Sequence, residues 1–221
     1  DNKIVYELPQ NIKSWQEKCI RDSSGVDIRS FDPEYAFIED DTLVEGEGQD
    51  ERYWEHREKE VNEWLKVGPL EVPDDICVIG FRGGEFALYP DLFLTREYWE
   101  EAMNIMVEKY GIKRFEVHTD DERLAKEFFG DIPVIHNIGI NWRSMRYAKH
   151  AIIANSSFFI LPRWLKQGER HGVEKLNGYL GVTPEQWKNT ECVTIAPRYW
   201  GRRNVKVWSM NQNYYSRFQY I

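Results

Sequence analysis

The sequence has few cysteines, and their placement excludes several kinds of site. Only three occur among 221 residues, Cys19, Cys77 and Cys192. They are odd in number and far apart, and no C-x-x-C pair exists, so neither a zinc knuckle nor a redox dithiol is expected. Cys77 and Cys192 lie in apolar runs typical of buried strands, where a thiol is a small hydrophobic group. Reduced thiols favour a cytoplasmic location.

Long apolar runs and an excess of positive charge are also lacking. No apolar segment approaches the roughly 20 residues of a bilayer-spanning helix, although a peripheral membrane contact stays open. The net charge is -8, so nucleic acid is not an expected partner, because phosphate binding needs a surplus of Lys and Arg. The five histidines are not spaced as ligands, and neither a metal nor another cofactor is predicted. Any anionic ligand must therefore be held by a local positive site.

The chain divides into two regions by composition. Residues 39–51 are acidic, carry two glycines and read as a loop or linker. Residues 51–66 follow with helical spacing of apolar side chains and end before Gly68-Pro69. We predict a partial amino-terminal region at 1–69 and one α/β domain at 70–221. The abrupt start in a strand-like run favours a partial chain.

Beyond residue 70, short apolar runs alternate with helical patterns. Strands are predicted at 76–79, 115–118, 132–135, 151–154 and 192–196, and helices at 95–110, 121–129, 141–149 and 157–166. Pro162 is expected to shorten the last helix. This alternation predicts a Rossmann-like parallel sheet with helices on both faces. Ligands of such sheets bind beyond the carboxyl ends of the strands.

The first predicted strand is followed by a glycine-flanked arginine, in the run Gly80-Phe-Arg-Gly-Gly-Glu85. The guanidinium of Arg82 offers a planar fork to phosphate oxygens, and Gly83 and Gly84 let the backbone approach a ligand closely. A flexible turn with a surface arginine fits the spacing equally well.

Two further segments that directly follow predicted strands can each either bind a ligand or cap a helix. After 115–118, Asp120 and Asp121 offer carboxylates that can accept N–H groups from a guanine edge, or that can cap the following helix. Both roles fit together if Asp120 caps while Asp121 binds. After 151–154, the run Asn155-Ser-Ser-Phe158 places hydroxyls and N–H groups at a helix start, either as an anion site or as an ordinary cap.

These segments resemble a known family. Residues 147–165, YAKHAIIANSSFFILPRWL, resemble the CKHNIIANSSFSWWGAWL signature of bacterial α-1,2-fucosyltransferases, family 11 of the glycosyltransferases. Residues 115–121 resemble its FYIFSDD segment, 193–200 resemble KIVIAPKKWF, and 80–85 lie where the family has H-x-R-R-G-D. The resemblance spans about residues 45–210. It implies a GT-B architecture, with 1–69 as part of the acceptor-side domain and 70–221 as the nucleotide-sugar-binding domain.

The resemblance also implies an activity and roles for residues. The family transfers fucose from GDP-fucose to a glycan hydroxyl, with inversion and without a required metal. Arg82, with the Gly83-Gly84 backbone, would then bind the donor diphosphate, and Asp121, next to Asp120, would read guanine. The phosphate oxygens would be held by the turn Asn155, Ser156, Ser157 and Phe158. Glu85 is the candidate catalytic base beside Arg82, with His118 and Asp91 as weaker candidates.

Several departures from the family pattern leave alternatives open. Gly80 replaces the motif histidine, Gly83 replaces its second arginine, and Glu85 replaces its aspartate; Arg146 or Arg163 would have to supply the missing charge. An inactive relative that binds GDP or a glycan without turnover is therefore the alternative. A Rossmann-like oxidoreductase is disfavoured because the glycine fingerprint is absent. Three tryptophans that are candidates for an acceptor cleft, with the core as the alternative, are Trp142, Trp164 and Trp200.

Overall fold

The computed structural model describes residues 13–16, 19–21, 27–29, 33–45, 51–88, 93–154, 156–169, 192–194 and 219–220. Within them the strands are β1 (Lys13–Gln16), β2 (Cys19–Arg21), β3 (Asp27–Arg29), β4 (Thr42–Glu45), β5 (Ile76–Phe81), β6 (Arg114–Thr119), β7 (Val134–Ile135), β8 (His150–Ile153), β9 (Cys192–Thr194) and β10 (Gln219–Tyr220). The α-helices are α1 (Glu58–Trp64), α2 (Arg96–Tyr110), α3 (Glu122–Phe129), α4 (Ile138–Tyr147) and α5 (Ser157–Glu169). Short 3-10 helices lie at Pro33–Phe37, Glu51–Tyr53, Glu55–Arg57 and Glu85–Leu88.

A six-stranded parallel sheet organises the fold, in the order β10-β9-β8-β5-β6-β7. Ile79 in β5 pairs with Val117 in β6 on one side and with Ile152 in β8 on the other. Counted from β5, this is the order 3-2-1-4-5-6 of doubly wound sheets. The prediction of a parallel α/β sheet is confirmed, and the arrangement is compatible with a Rossmann-like fold. The order reverses between β5 and β8, which makes their carboxyl ends the topological switch point.

Residues of β5 from Cys77 to Phe81 are all buried, as expected for a strand covered on both faces. Ile79 and Ile152 are completely buried in the centre of the sheet. On one side, the rings of Phe81, Trp99 and Phe129 pack edge to face, with centroids 5.3 to 5.6 Å apart. This aromatic packing fixes the end of β5 just before the loop that carries Arg82.

The segment before the sheet packs onto it differently from the sequence pattern. The helix predicted over 51–66 is two short 3-10 turns followed by α1. Trp54 lies edge to face on the buried Trp164 of α5 at 4.2 Å between centroids, and Trp164 Nε1 donates to Glu51 at 2.9 Å. The helical spacing over 51–66 places Trp64 on the apolar side and predicts that it is in the core, but Trp64 is 68% exposed and Val61 is the buried residue of α1. Residues 51–61 therefore share the core of the sheet domain.

Two helix boundaries also differ from the prediction. α4 begins at Ile138 because the side chain of Asn137 caps it, accepting from Ile140 N at 3.0 Å. α5 continues through Pro162 to Glu169. The cost of proline within a helix is offset here by tertiary packing, since the adjacent Arg163 and Trp164 are completely buried.

Two smaller strand pairs lie outside the main sheet. β1 pairs with β4 in parallel, and β2 pairs with β3 in antiparallel orientation. Among the described helices, none combines the length and the apolar character needed to cross a bilayer.

Candidate functional site

A cavity of about 180 Å³ lies at the carboxyl edge of the parallel sheet. Residues at the carboxyl ends of β5, β6, β7 and β8, or just after them, form its wall, and the order of the strands places these four ends side by side. Its lining consists of Arg82, Thr119, Asp120, His136, Ile138, Asn141, Phe158 and Phe159. The three strand exits selected from the sequence therefore meet at one cavity, and a fourth exit joins them.

Arg82 is held by two carboxylates. Its Nη1 donates to Oδ2 of Asp120, and its Nη2 donates to Oε1 of Glu85 at 3.3 Å. The other oxygen of Asp120 accepts from the backbone N–H of Gly83 at 2.9 Å. The Asp120 carboxylate thus uses the guanidinium and the loop N–H that were expected to hold a phosphate.

The glycines of this loop make room for side chains of the protein. Gly84 has φ +22°, and a Cβ there would overlap the carboxylate of Asp120. A Cβ at Gly83 would lie 2.9 Å from Cβ of Asp121. The sequence prediction was that these glycines admit a ligand; their observed close neighbours are Asp120 and Asp121.

The charges of this cluster sum to a negative value. Arg82 contributes one positive charge, and Asp120 and Glu85 contribute one negative charge each. The Arg82 and Asp120 side chains are 26% and 28% exposed, whereas Glu85 is 65% exposed at the rim. Two of the five N–H groups of the guanidinium are used, and three remain to donate. A bound anion must either use those three or displace Asp120.

Asp121 has a structural role at the start of α3. Its backbone is extended, and its Oδ1 accepts from Leu124 N at 2.9 Å, which is the geometry of a helix cap. The interpretation in which Asp120 caps the helix and Asp121 binds is therefore wrong, because the residue that caps α3 is Asp121. Asp120 faces the cavity and Asp121 caps.

The turn after β8 presents aromatic rings to the cavity. Ser156 is buried, and its carbonyl accepts the N–H groups of Phe159 and Ile160 at 2.9 and 2.8 Å. Ser157 is exposed at the first position of α5. Phe158 and Phe159 line the cavity, whereas the two serines are not part of its lining. Asn155 lies outside the described residues.

Of the candidate bases from the sequence, the two that the structure describes, Glu85 and His118, are not among the residues that line the cavity. Glu85 lies at the rim and is bound to Arg82. His118 has no exposed surface, so it cannot accept a proton directly from a molecule in the cavity, and its candidacy is wrong. Asp91 lies outside the described residues.

The two arginines suggested as substitutes for the missing motif arginine are buried elsewhere. Arg146 donates to Asn62 Oδ1 at 2.7 Å and to the Leu65 carbonyl at 3.3 Å. Arg163 donates to the carbonyls of Ala148 and Lys149 at 2.5 and 2.8 Å. Neither belongs to the cavity lining, and the suggestion that either supplies its positive charge is wrong.

His118 connects the cavity wall to a carboxylate in the sheet. Its Nδ1 lies 3.1 Å from Oδ1 of Asn141, and its Nε2 lies 2.8 Å from Oε1 of Glu116. The Asn141 Nδ2 donates to the Thr119 carbonyl at 3.0 Å. The hydrogen bond from His118 holds the pKa of Glu116 below its usual range, against the opposing effect of partial burial.

Sequence reasoning missed His136 and Asn141, both of which line the cavity. A signal for them was present, because His136 and Asn137 follow directly after Ile135 at the end of β7. The rule applied to the other strand exits extends to this one. Asn141 lies one helical turn further on, so the same face of α4 carries it towards the sheet edge.

A larger groove of about 440 Å³ adjoins the cavity and shares Ile138 and Phe158 with it. Trp64 and Trp142 are among its lining residues, and Trp142 lies 5.6 Å from the Phe158 ring. The Arg57 guanidinium lies 5.4 Å from the Trp64 ring. Trp164 is completely buried and is therefore a core residue, while Trp200 lies outside the described residues.

Within the described ranges, no group of three or more His, Cys, Asp or Glu side chains is arranged to hold a metal ion. No protein-family model matches the chain, and neither a curated protein nor a solved structure is significantly similar to it.

Proposed function

We propose that this chain is the donor-binding part of a metal-independent inverting glycosyltransferase that transfers a sugar, fucose from GDP-fucose, to a glycan hydroxyl. The observation that carries the proposal is the meeting of three strand exits at one cavity beside the switch point. Segments 80–85, 115–121 and 147–165, which resemble the fucosyltransferase family, each contribute lining residues. The order of the strands makes these exits neighbours, and the support for the proposal is that the residues at them resemble the donor site of that family.

In this proposal the cavity receives the charged part of the donor. Its volume of about 180 Å³ is below the roughly 300–1,000 Å³ typical of sites for whole ligands of drug size. The adjoining groove supplies the remaining space, and its tryptophan faces suit a pyranose ring of the acceptor. We further propose a cytoplasmic location and the GT-B arrangement, in which the segment before residue 51 belongs to the acceptor-side domain and residues 51–61 pack with the donor-binding domain.

The chemistry requires stabilisation of the leaving diphosphate and removal of one proton from the acceptor. The three remaining N–H groups of Arg82 are assigned to the diphosphate. Glu85 was the candidate base from the sequence, but it is bound to Arg82 and lies at the rim. His136 lines the cavity and is exposed, which makes it the better candidate for the base.

Arg82→Ala tests the proposal through GDP affinity measured by isothermal titration calorimetry. Loss of one charge-assisted hydrogen bond, about 1.5–3 kcal/mol, should weaken binding about 10- to 150-fold. Arg114→Ala is the matched control, because Arg114 also pairs with an aspartate, Asp75, but at the amino end of the sheet. Equal GDP affinity of wild type and Arg82→Ala would remove Arg82 from the site. A thermal-shift series with GDP, UDP, dTDP and CMP identifies the base.

The second candidate function is binding of GDP or a glycan without turnover. The favouring observation is the pairing of Arg82 with Asp120 and Glu85, which offsets the positive charge needed by a leaving diphosphate. Release of GDP from GDP-fucose, measured with and without a panel of glycan acceptors, separates the two functions. Acceptor-dependent release that is lost in His136→Ala supports transfer, whereas GDP binding without release supports the binding function.

A further inference from the structure

A hydrogen-bonded chain of three side chains, one partly buried and two buried, leads from the sheet to the cavity wall. It runs from Glu116 through His118 in β6 to Asn141 in α4. His118 is completely buried, and Asn141 is one of the residues that line the cavity. The roles proposed above use neither Glu116 nor His118.

The Thr119 carbonyl fixes the orientation of the Asn141 amide. A carbonyl oxygen only accepts hydrogen bonds, so the amide atom 3.0 Å from it must be the donor Nδ2. The Asn141 Oδ1 therefore faces His118. Since an amide oxygen also only accepts, the Nδ1 of His118 must carry a proton.

At the other ring nitrogen, one proton lies between His118 and Glu116. A carboxylate oxygen accepts, so either Nε2 or the carboxyl group carries this proton. The hydrogen bond with His118 lowers the pKa of Glu116, which favours the ionised carboxylate as the acceptor. The partners of His118 in the neighbouring strands, Gly80 and Ile135, carry no titratable group, and Arg114 on the same strand adds positive charge near Glu116.

We propose that Glu116 and His118 are positioning residues that hold the Asn141 amide as the edge that reads the heterocyclic base of the donor. The identity of this ligand rests on the proposed function. The amide has two N–H groups and two lone pairs, of which one each is used, so a donor beside an acceptor remains. Such a pair matches the adjacent N–H and carbonyl of a guanine edge. Asp121, the residue first assigned this role, is occupied as the cap of α3.

The experiment measures GDP affinity for wild type, Glu116→Gln and Asn141→Ala, together with the nitrogen chemical shifts of the His118 ring. In the wild type the Nδ1 signal should be that of a protonated nitrogen, because Nδ1 faces the Asn141 oxygen. Asn141→Ala should bind GDP about tenfold more weakly, which corresponds to about 1.4 kcal/mol.

Glu116→Gln separates positioning from simple structural support. Its amide can donate to a neutral Nε2, so Nδ1 keeps its proton and Asn141 stays oriented. We expect affinity within about twofold of wild type, with the Nδ1 signal still that of a protonated nitrogen. Glu122→Gln, which alters an exposed glutamate paired with Lys126, is the control and should change neither quantity.

Three results would overturn the inference. An unprotonated Nδ1 in the wild type would contradict the positioning chain, and so would an unprotonated Nδ1 in Glu116→Gln. Wild-type GDP affinity in Asn141→Ala, with affinity lost in Arg82→Ala, would refute base reading while leaving the proposed function intact. If Asn141→Ala does not fold, the shift of the Asn141 amide signals on adding GDP decides in its place. If the wild type binds no nucleoside diphosphate, the proposed function and base reading both fail, and the Nδ1 signal still decides the positioning role.

Discussion

Asp120→Asn should strengthen the binding of GDP and of inorganic pyrophosphate. In the unliganded protein the Asp120 carboxylate uses Nη1 of Arg82 and the N–H of Gly83. An incoming diphosphate is attracted by Arg82 but repelled by this carboxylate and by Glu85. The substitution removes one of the two repelling charges, while the amide oxygen that replaces the carboxylate can still accept from Gly83.

The size of the effect follows from the charges and their exposure. The local charge rises from minus one to zero. For a doubly charged ligand about 5 Å away, Coulomb's law in a water-like dielectric gives about 1.7 kcal/mol. Salt screening over a Debye length of about 8 Å reduces this to about 1 kcal/mol, or roughly fivefold in affinity. Because Arg82 and Asp120 are only 26% and 28% exposed, the effective dielectric constant is below that of water. Fivefold is therefore a lower bound on the gain in affinity.

Calorimetry with pyrophosphate and GDP at low and at high salt provides the assay. The gain should shrink as salt increases, since its origin is electrostatic. Asp75→Asn is the matched control, because it removes the same charge from another aspartate–arginine pair. The length of β5 separates the two pairs by about 20 Å, well beyond the Debye length. If Asp120→Asn weakens binding as much as Arg82→Ala does, Asp120 orients Arg82 for the ligand, and the competition reasoning is refuted.

Four further predictions follow from the described contacts. Asp121→Ala should lower the free energy of unfolding by about 1 kcal/mol in urea titrations, because the cap of α3 is lost. Asp121→Asn should keep the cap and leave GDP affinity unchanged. A loss of GDP affinity in Asp121→Asn would show that Asp121 contacts the ligand. Gly84→Ala should disrupt the Arg82 loop, because a Cβ overlaps Asp120, and should weaken pyrophosphate binding measured by calorimetry. Ile152→Ala should cost roughly 2–5 kcal/mol of stability by thermal and urea unfolding, and a cost below 1 kcal/mol would contradict its central packing. The lowered pKa of Glu116 contributes stability that is present above the unfolded carboxyl pKa of about 4.3 and is lost as pH falls through the folded pKa. Glu116→Gln should therefore flatten the acid side of a plot of melting temperature against pH.

The centre of the sheet was predictable because burial on both faces leaves a clear record in sequence. The run from Ile76 to Ile79 is wholly apolar, and it forms the first part of β5. Boundaries were harder, because they depend on caps and packing. The cap at Asn137 makes α4 begin at Ile138, before the predicted start at 141. The buried neighbours of Pro162 let α5 continue past a residue that usually ends helices.

Aromatic residues show the limit of a helical pattern used alone. Trp54 and Trp64 both fitted an apolar stripe over 51–66, yet Trp54 packs on Trp164 while Trp64 lies 68% exposed at the groove. The pattern assumed one continuous helix. Two 3-10 turns before α1 change the angle between successive side chains, so the positions of Trp54 and Trp64 no longer follow the α-helical spacing.

The position of the site was predictable from topology, but the pairing of its side chains was not. Parallel strands bring their exits to one edge, so Arg82 and Asp120 were expected near each other. Which of two adjacent aspartates faces the loop depends on contacts across 38 residues of sequence. The backbone at Asp121 turns into α3, which commits its carboxylate to Leu124 N and leaves Asp120 to bind Arg82.

This pairing also reconciles the resemblance with the electrostatics of the cavity. One carboxylate on a guanidinium offers a single negative charge, whereas a nucleoside diphosphate offers at least two and can use both Arg82 and the Gly83 N–H. At equal distance the diphosphate gains about twice the Coulomb energy, so it can displace Asp120 or share the guanidinium with it. On the proposed function, Asp120 keeps Arg82 oriented and its charge compensated until the donor arrives. The aspartate pairing is then compatible with donor binding, and the sign of the Asp120→Asn effect decides between displacement and support.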